Sequence, residues 1–237
     1  MTSIAHRLRS RRRPIVRGWP DLAPLITGVV VFAVAASLVH RHRVAGAETD
    51  AFRAINDHTV VPFFVVWPVM QLGNFLVIPA AALAALAVRR LRLAVSLLVG
   101  GIAAYLIAAD VVRRLVVRGR PATLLDDVHL RHAPAHGLGF VSGHVAVVTT
   151  LAVIAWPYLG RRWRAVVVVA AVLVALARVY VGAHFPLDVL GGAGLGLAVA
   201  GAVRLAFGRP AGNRSSRRAQ SSAADPATDA GLRRSEP

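Results

Sequence analysis

The 237-residue chain contains no cysteine, which removes disulfide cross-links, a thiolate nucleophile and any Cys-based zinc site from consideration. Lysine is absent too, so all 28 basic residues are arginines; with the abundance of Ala and Val, this is the bias of a GC-rich bacterial genome. Acidic residues number only 11. The resulting net charge of +17 would suit nucleic-acid binding, but the arginines fall in short clusters between apolar runs and form no stripe interleaved with aromatics. No nucleic-acid partner is expected. What the chain does have is apolar: 56% hydrophobic residues and a mean hydropathy of +0.59 point to several membrane spans rather than a soluble domain.

The apolar runs predict an all-α fold, a six-transmembrane-helix bundle over residues 21–207 with short outer-face helices. Residues 1–20 form a basic N-terminal segment, and the first apolar run covers about 24–39. Ala45, Gly46 and Ala47 resemble a signal-peptidase site, but Arg41 and Arg43 crowd the segment just before it and further spans follow, so a retained first helix is expected. A short amphipathic helix at about 50–56 is expected to lie on the outer face as a connector or lid. The stretch 60–88 would be about 43 Å long as one helix, longer than the roughly 30 Å hydrocarbon core, and Pro62, Pro68, Gly73 and Pro79 interrupt it. It is read as an interfacial piece over 60–70 followed by a second span over 71–88. The remaining spans are expected at about 93–112, 142–159, 165–181 and 186–207, and residues 208–237 as a disordered cytoplasmic tail. Gly191, Gly192, Gly194, Gly196 and Gly201 give the sixth span a small-residue face, read as packing inside the bundle.

Six spans put both termini on one side. The N-terminus, the turns at 89–92 and 161–164, and the end of the last span with its tail carry 19 of the 28 arginines. By the positive-inside rule this is the cytoplasmic face of a multi-pass cell-membrane protein. Arg113, Arg114, Arg118, Arg120 and Arg178 fall on the opposite, disfavoured face, which suggests a task there.

Residues 177–188, Ala-Arg-Val-Tyr-Val-Gly-Ala-His-Phe-Pro-Leu-Asp, carry spacings suited to phosphoryl chemistry. If a helix starts near Pro186, His184 and Asp188 sit four residues apart and approach one another. A carboxylate accepting from one imidazole nitrogen fixes the tautomer and leaves the other lone pair free to attack. The helix N-terminus favours an anion, and Arg178 supplies a planar fork for phosphate oxygens. The plainer reading of His184 and Asp188 alone is a helix turn with a capping acid. Two further polar motifs, 113–121 and Val141-Ser142-Gly143-His144, land on the same predicted face. Ser142 is a plausible N-cap, and Gly143 lets an oxygen approach backbone N–H groups.

Over roughly residues 20–207 the chain resembles the type 2 phosphatidic acid phosphatase (PAP2) family, which is recognised by Lys-x6-Arg-Pro, Pro-Ser-Gly-His and Ser-Arg-x5-His-x3-Asp motifs in this order. The resemblance implies that His184 is the nucleophile forming a phosphohistidine, that Asp188 orients it, and that His144 protonates the leaving lipid oxygen and then activates water. It implies that Arg113, Arg120 and Arg178, with Ser142 and Gly143, bind the phosphoryl oxygens. Covalent catalysis by His requires no metal and no other cofactor. The chain departs from the pattern at Arg113 for the family lysine, Val141 for the proline and Ala177 for the serine; the reacting residues are intact. Arg118 is read as a further phosphate contact. Asp110, with Arg113 and Arg114 three and four residues on, is equally readable as a paired helix-end carboxylate.

The expected activity is hydrolysis of a phosphomonoester or diphosphate lipid headgroup on the extracytoplasmic side. Candidate substrates are polyprenyl diphosphate, phosphatidate and phosphatidylglycerophosphate, reached among membrane lipids. Two alternatives stay open: a metal-dependent membrane hydrolase using Asp126, Asp127, His129, His132 and His136, and a non-catalytic phospholipid-binding or transport protein on the same arginines.

Overall fold

The computed structural model describes residues 15–39, 43–58 and 61–210. The expected tail beyond residue 210 and the first fourteen residues of the basic N-terminal segment lie outside the described residues. One compact unit spans Arg17–Phe207. Outside it, Ile15–Val16 (β1) pairs antiparallel with Arg209–Pro210 (β2), a small departure from an all-α chain.

Within the main unit the order is α1 (Trp19–Leu38), α2 (Gly46–Asn56), α3 (Phe63–Gln71), α4 (Val77–Ala87) and α5 (Leu91–Leu106). A π-helical turn over Ile107–Val112 and a last turn over Arg113–Leu115 extend α5. A single turn at Pro121–Leu124 precedes α6 (Gly143–Ala155), α7 (Arg161–Tyr180) and α8 (Pro186–Phe207). α1 begins earlier than hydropathy suggests because Asp21, in its first turn, reaches back to the Gly18 N–H at 3.1 Å and also pairs with Arg204 of α8 at 2.9 Å.

Four helices, Trp19–Leu38, Leu91–Leu115, Arg161–Tyr180 and Pro186–Phe207, are long and apolar enough to cross a membrane; Val77–Ala87 and Gly143–Tyr158 are shorter. The chain is therefore a mostly helical, multi-pass membrane protein, and the helices at the expected second and fourth spans differ from expectation in two details. The second span does not run from 71. It breaks over residues 72–76 into tight turns with bonds three residues apart, where Asn74 donates to Gln71 Oε1 (2.8 Å) and accepts from the Leu76 N–H (3.1 Å). The fourth stays α-helical only to Ala155 and tightens into a 3₁₀ turn at Trp156–Tyr158, next to Pro157.

α8 packs between α1 and α6, and its small residues are the reason it can. A Cβ on Gly194 would stand 2.6 Å from the Phe32 nitrogen of α1, and one on Gly196 would stand 2.6 Å from the Ala146 carbonyl oxygen of α6. The glycine face thus packs inside the bundle, as expected, and α1 and α6 are its partners. At one end of the bundle the α8 carbonyls of Leu205, Ala206 and Phe207 accept from Arg17 and Arg92, satisfying a helix C-terminus. At the other end Asn56 donates to the carbonyls of His129 and Tyr180 (both 3.0 Å), and Arg131 donates to those of Tyr180, Asn56 and His58. These bonds tie α2 and the 126–136 loop to the end of α7.

Gly194→Leu should destabilise the fold by about 3 kcal/mol or more through overpacking, read as a fall in thermal midpoint in detergent. Gly46→Ala, where no atom lies within 4 Å of the added methyl, should leave the midpoint unchanged or slightly raised.

Candidate active site

Four chain segments deliver polar groups to one cavity of about 440 Å³ at the Asn56–Arg131 end of the bundle, lined by Arg113, Arg120, Gly143, His144, Arg178 and His184 and by the 72–76 turn, Tyr105 and Pro134. Arg113 follows the π-helical turn that ends α5. Arg120 precedes Pro121 and donates through Nη1 to the Ala183 carbonyl at 2.9 Å. Burial and the neighbouring Arg113 lower the Arg120 pKa, opposed by Asp188. Arg178 is buried in the last turn of α7, with Nη1 3.5 Å from Met70 Sδ. The Nε atoms of Arg113, Arg120 and Arg178 are buried and make no hydrogen bond to the protein. All three arginines line the cavity, and its lining holds no carboxylate, an arrangement suited to an anion with several oxygens.

The two histidines enter from separate helix starts. His144 is the second residue of α6, and Gly73 of the 72–76 turn lies so close that a Cβ there would stand 2.5 Å from its carbonyl oxygen. His184 lies between α7 and α8, 2% exposed, and its Nδ1 is 2.9 Å from the Gly139 carbonyl oxygen. Since a carbonyl only accepts, Nδ1 carries the proton and Nε2 keeps its lone pair. Asp188 lies further from it, Oδ2 to Nδ1 being 3.8 Å. That carboxylate caps its own helix by accepting the Phe185 N–H at 2.9 Å, with Pro186 at the first helical position. Tautomer control thus falls first to Gly139, a backbone group that no side-chain pattern announces.

Of the other expected residues, Gly143 lines the cavity, whereas Ser142 and Arg118 do not. Ser142 occupies the N-cap position of α6, but its Oγ is buried without a hydrogen bond and makes no cap; its N–H donates to the Asp188 carbonyl at 3.0 Å. Beyond its chain neighbours and its own helix backbone, no protein atom lies within 4 Å of where a side chain at Gly143 would begin. The reading of Arg118 as a phosphate contact needs correction: it is fully buried, does not line the cavity, and both of its Nη groups are taken by Glu48 and Asp188. Glu48 was missed. Its only sequence signal is the spacing Glu48, Phe52, Asn56, which puts all three on the buried face of α2. In the 126–136 loop, His129 faces Asp57 at 3.5 Å and His132 packs against Phe63, and no three His, Asp or Glu side chains among the described residues converge as metal ligands.

A family model described as the PAP2 superfamily matches residues 89–210, about half of the chain and all of the motifs above. The chain belongs to the PAP2 superfamily. It is 25% identical over 166 residues to the undecaprenyl-diphosphatase of Sulfolobus acidocaldarius, covering 69% of this chain and 80% of that protein. Among solved structures it resembles Aquifex aeolicus LpxE, with TM-score 0.60, 26% identity, and coverage of 70% of this chain and 99% of that one. It also resembles a PAP2-type phosphatidylglycerolphosphate phosphatase from Bacillus subtilis, with TM-score 0.57, 26% identity, and coverage of 75% and 94%. PAP2 phosphatases are phosphoric ester hydrolases, and this chain is a PAP2-type lipid phosphatase by family. Its departures sit differently in the site. Arg113 lines the cavity, whereas Ala177 is buried among Val66, Met70 and Tyr180 and Val141 lies fully buried against Gly191.

Burial, opposed by Asp188 and reinforced by Arg178 and Arg120, holds the His184 pKa at about 4, below the roughly 6.5 of an exposed imidazole. The unfolded chain therefore takes up the proton first: the stability is fully present above about pH 6.5 and declines as pH falls towards 4. Between pH 7.5 and 4.5 the native protein should lose more thermal stability than His184→Gln, measured by melts in the same detergent.

Proposed function

We propose that the protein hydrolyses a lipid phosphomonoester or diphosphate through a phosphohistidine on His184, at the extracytoplasmic face of the cell membrane. The observation that carries this reading is the cavity itself: three arginines with no carboxylate in the lining and two histidines, one of them with Nδ1 held by a backbone carbonyl. Binding of an anion alone requires neither histidine, which disfavours a purely binding or transport role. The dispersed donors of the 126–136 loop give a metal-dependent reading no ligand set.

In this mechanism Arg113, Arg120 and Arg178 bind the equatorial oxygens of the phosphoryl group, and the N–H groups at the start of α6 add donors there. The Nε2 lone pair of His184 attacks phosphorus, the bond from phosphorus to the lipid oxygen breaks, and His144 gives that oxygen a proton. Water then attacks the phosphohistidine, His144 takes its proton, and the P–N bond breaks to release phosphate. α3 and α4 together, and α6 with its 3₁₀ turn, would complete a six-crossing membrane domain over 21–207 with both termini cytoplasmic. The arginines at 89–92 and 161–164 support this sidedness. A lipid headgroup can then reach the site by lateral diffusion. The relatives named above suggest a polyprenyl diphosphate or phosphatidylglycerophosphate as substrate, with phosphatidate as a further candidate.

Phosphate release from these three lipids in detergent with excess EDTA should proceed in the native protein and fall by roughly 10³-fold or more in His184→Ala. Release abolished by EDTA, or retained in the variant, would overturn the mechanism.

A further inference from the structure

We propose that Arg118 and Glu48 are positioning residues, which hold His184 in register through Asp188 and Gly139 and do not touch the phosphate. The inference rests on His184 being the nucleophile. Arg118 bears on both supports of that histidine. Its Nη1 donates to Asp188 Oδ1 at 3.0 Å, which leaves Oδ2 to cap Phe185 and face His184. Its backbone carbonyl accepts the Gly139 N–H at 2.8 Å, and Gly139 offers its own carbonyl to His184 Nδ1. One residue thereby orients the carboxylate and the peptide that together surround the imidazole.

Glu48 fixes Arg118 in turn. It reaches from α2, 70 residues away in sequence, to accept from Nη1 through Oε1 (3.1 Å) and from Nη2 through Oε2 (2.5 Å). Oε1 also accepts the Leu187 N–H at 3.0 Å, so the first turn of α8 is pinned to α2. Phe185 closes the cluster, its ring 4.4 Å below the Arg118 guanidinium and packed on Phe52 of α2. Glu48, Arg118 and Asp188 are all buried, where a guanidinium without partners would be strongly unfavourable and where two carboxylates against one guanidinium leave net negative charge. Of the two carboxylates, Asp188 lies beside the imidazole, where it favours the positive charge that develops when Nε2 bonds to phosphorus. α2 is accordingly a structural arm of the site and not only a connector.

The test compares Arg118→Lys and Glu48→Gln with Arg178→Lys, using lipid phosphate turnover, inhibition by orthovanadate, and ¹⁵N spectra of histidine-labelled protein in which the His184 signal is assigned by its loss in His184→Asn. Arg118→Lys and Glu48→Gln should lower kcat by about tenfold or more while KM and vanadate inhibition change by less than about threefold; Arg178→Lys should weaken both. The His184 signal should report one Nδ1–H tautomer in the native protein and a mixture in Arg118→Lys. This last readout needs no turnover and separates the two readings. A native protein inactive on every lipid, but with the tautomer change, would sink the proposed function and leave the positioning role standing. Weakened vanadate binding with kcat retained in Arg118→Lys, or an unchanged His184 signal in both variants, would overturn the positioning role. Should Arg118→Lys fail to fold, Glu48→Gln carries the same readouts.

Discussion

Mutual repulsion among Arg113, Arg120 and Arg178 is the constraint that the rest of the molecule has to satisfy. Three guanidinium groups line one cavity without a carboxylate among its lining residues, so their separation is enforced by the scaffold rather than by pairing. Each is held differently: Arg113 by the end of a long helix, Arg120 by a bond to the Ala183 carbonyl, and Arg178 by burial at the end of α7 against Met70. A further arginine of the region, Arg118, takes the carboxylates instead. Charge is thus sorted into a cationic cavity and, behind the histidine, a layer richer in carboxylate. This polarity suits a reaction that binds an anion and develops positive charge on an imidazole.

Helix starts do most of the remaining positioning. α6 and α8 both begin beside the cavity, and the bond from the Ser142 N–H to the Asp188 carbonyl joins the two starts directly. His144 and His184 are therefore referenced to one backbone junction although 40 residues separate them. The close approach at Gly196 keeps that junction rigid further along the helices, since α6 and α8 meet there nearly backbone to backbone.

The broken second span has a related explanation. Irregular backbone inside a membrane protein is tolerated where it lines a cavity, and the 72–76 turn does so, with Gly73 against His144 and Phe75 against Tyr105, ring centroids 5.0 Å apart. Phe75 and Tyr105 are both partly exposed and both line the cavity.

Local pattern was enough to read much of this. Uninterrupted apolar runs marked the four long helices, because a span needs only length and hydropathy. The His184–Asp188 spacing placed a capped helix start correctly, because Pro186 and an acid two residues on act within one turn. The motifs that place Arg113, Arg120, His144, Arg178 and His184 were visible for the same reason, each being a short run of sequence. What the sequence could not decide was pairing over distance. Arg118 looks like its neighbours Arg113 and Arg120 until Glu48, 70 residues earlier, is folded against it; whether a guanidinium meets carboxylate or open cavity depends on which helix packs over it. The Gly139 carbonyl that faces His184 belongs to the backbone and carries no residue-type signal. The break at 72–76 is bonded locally through Asn74, but its approach to α6 at His144, which Gly73 permits, is set by the tertiary fold. Composition and hydropathy marked the long helices, and short motifs with their family resemblance pointed to the chemistry, whereas long-range packing decided which arginine meets a carboxylate and which an open cavity.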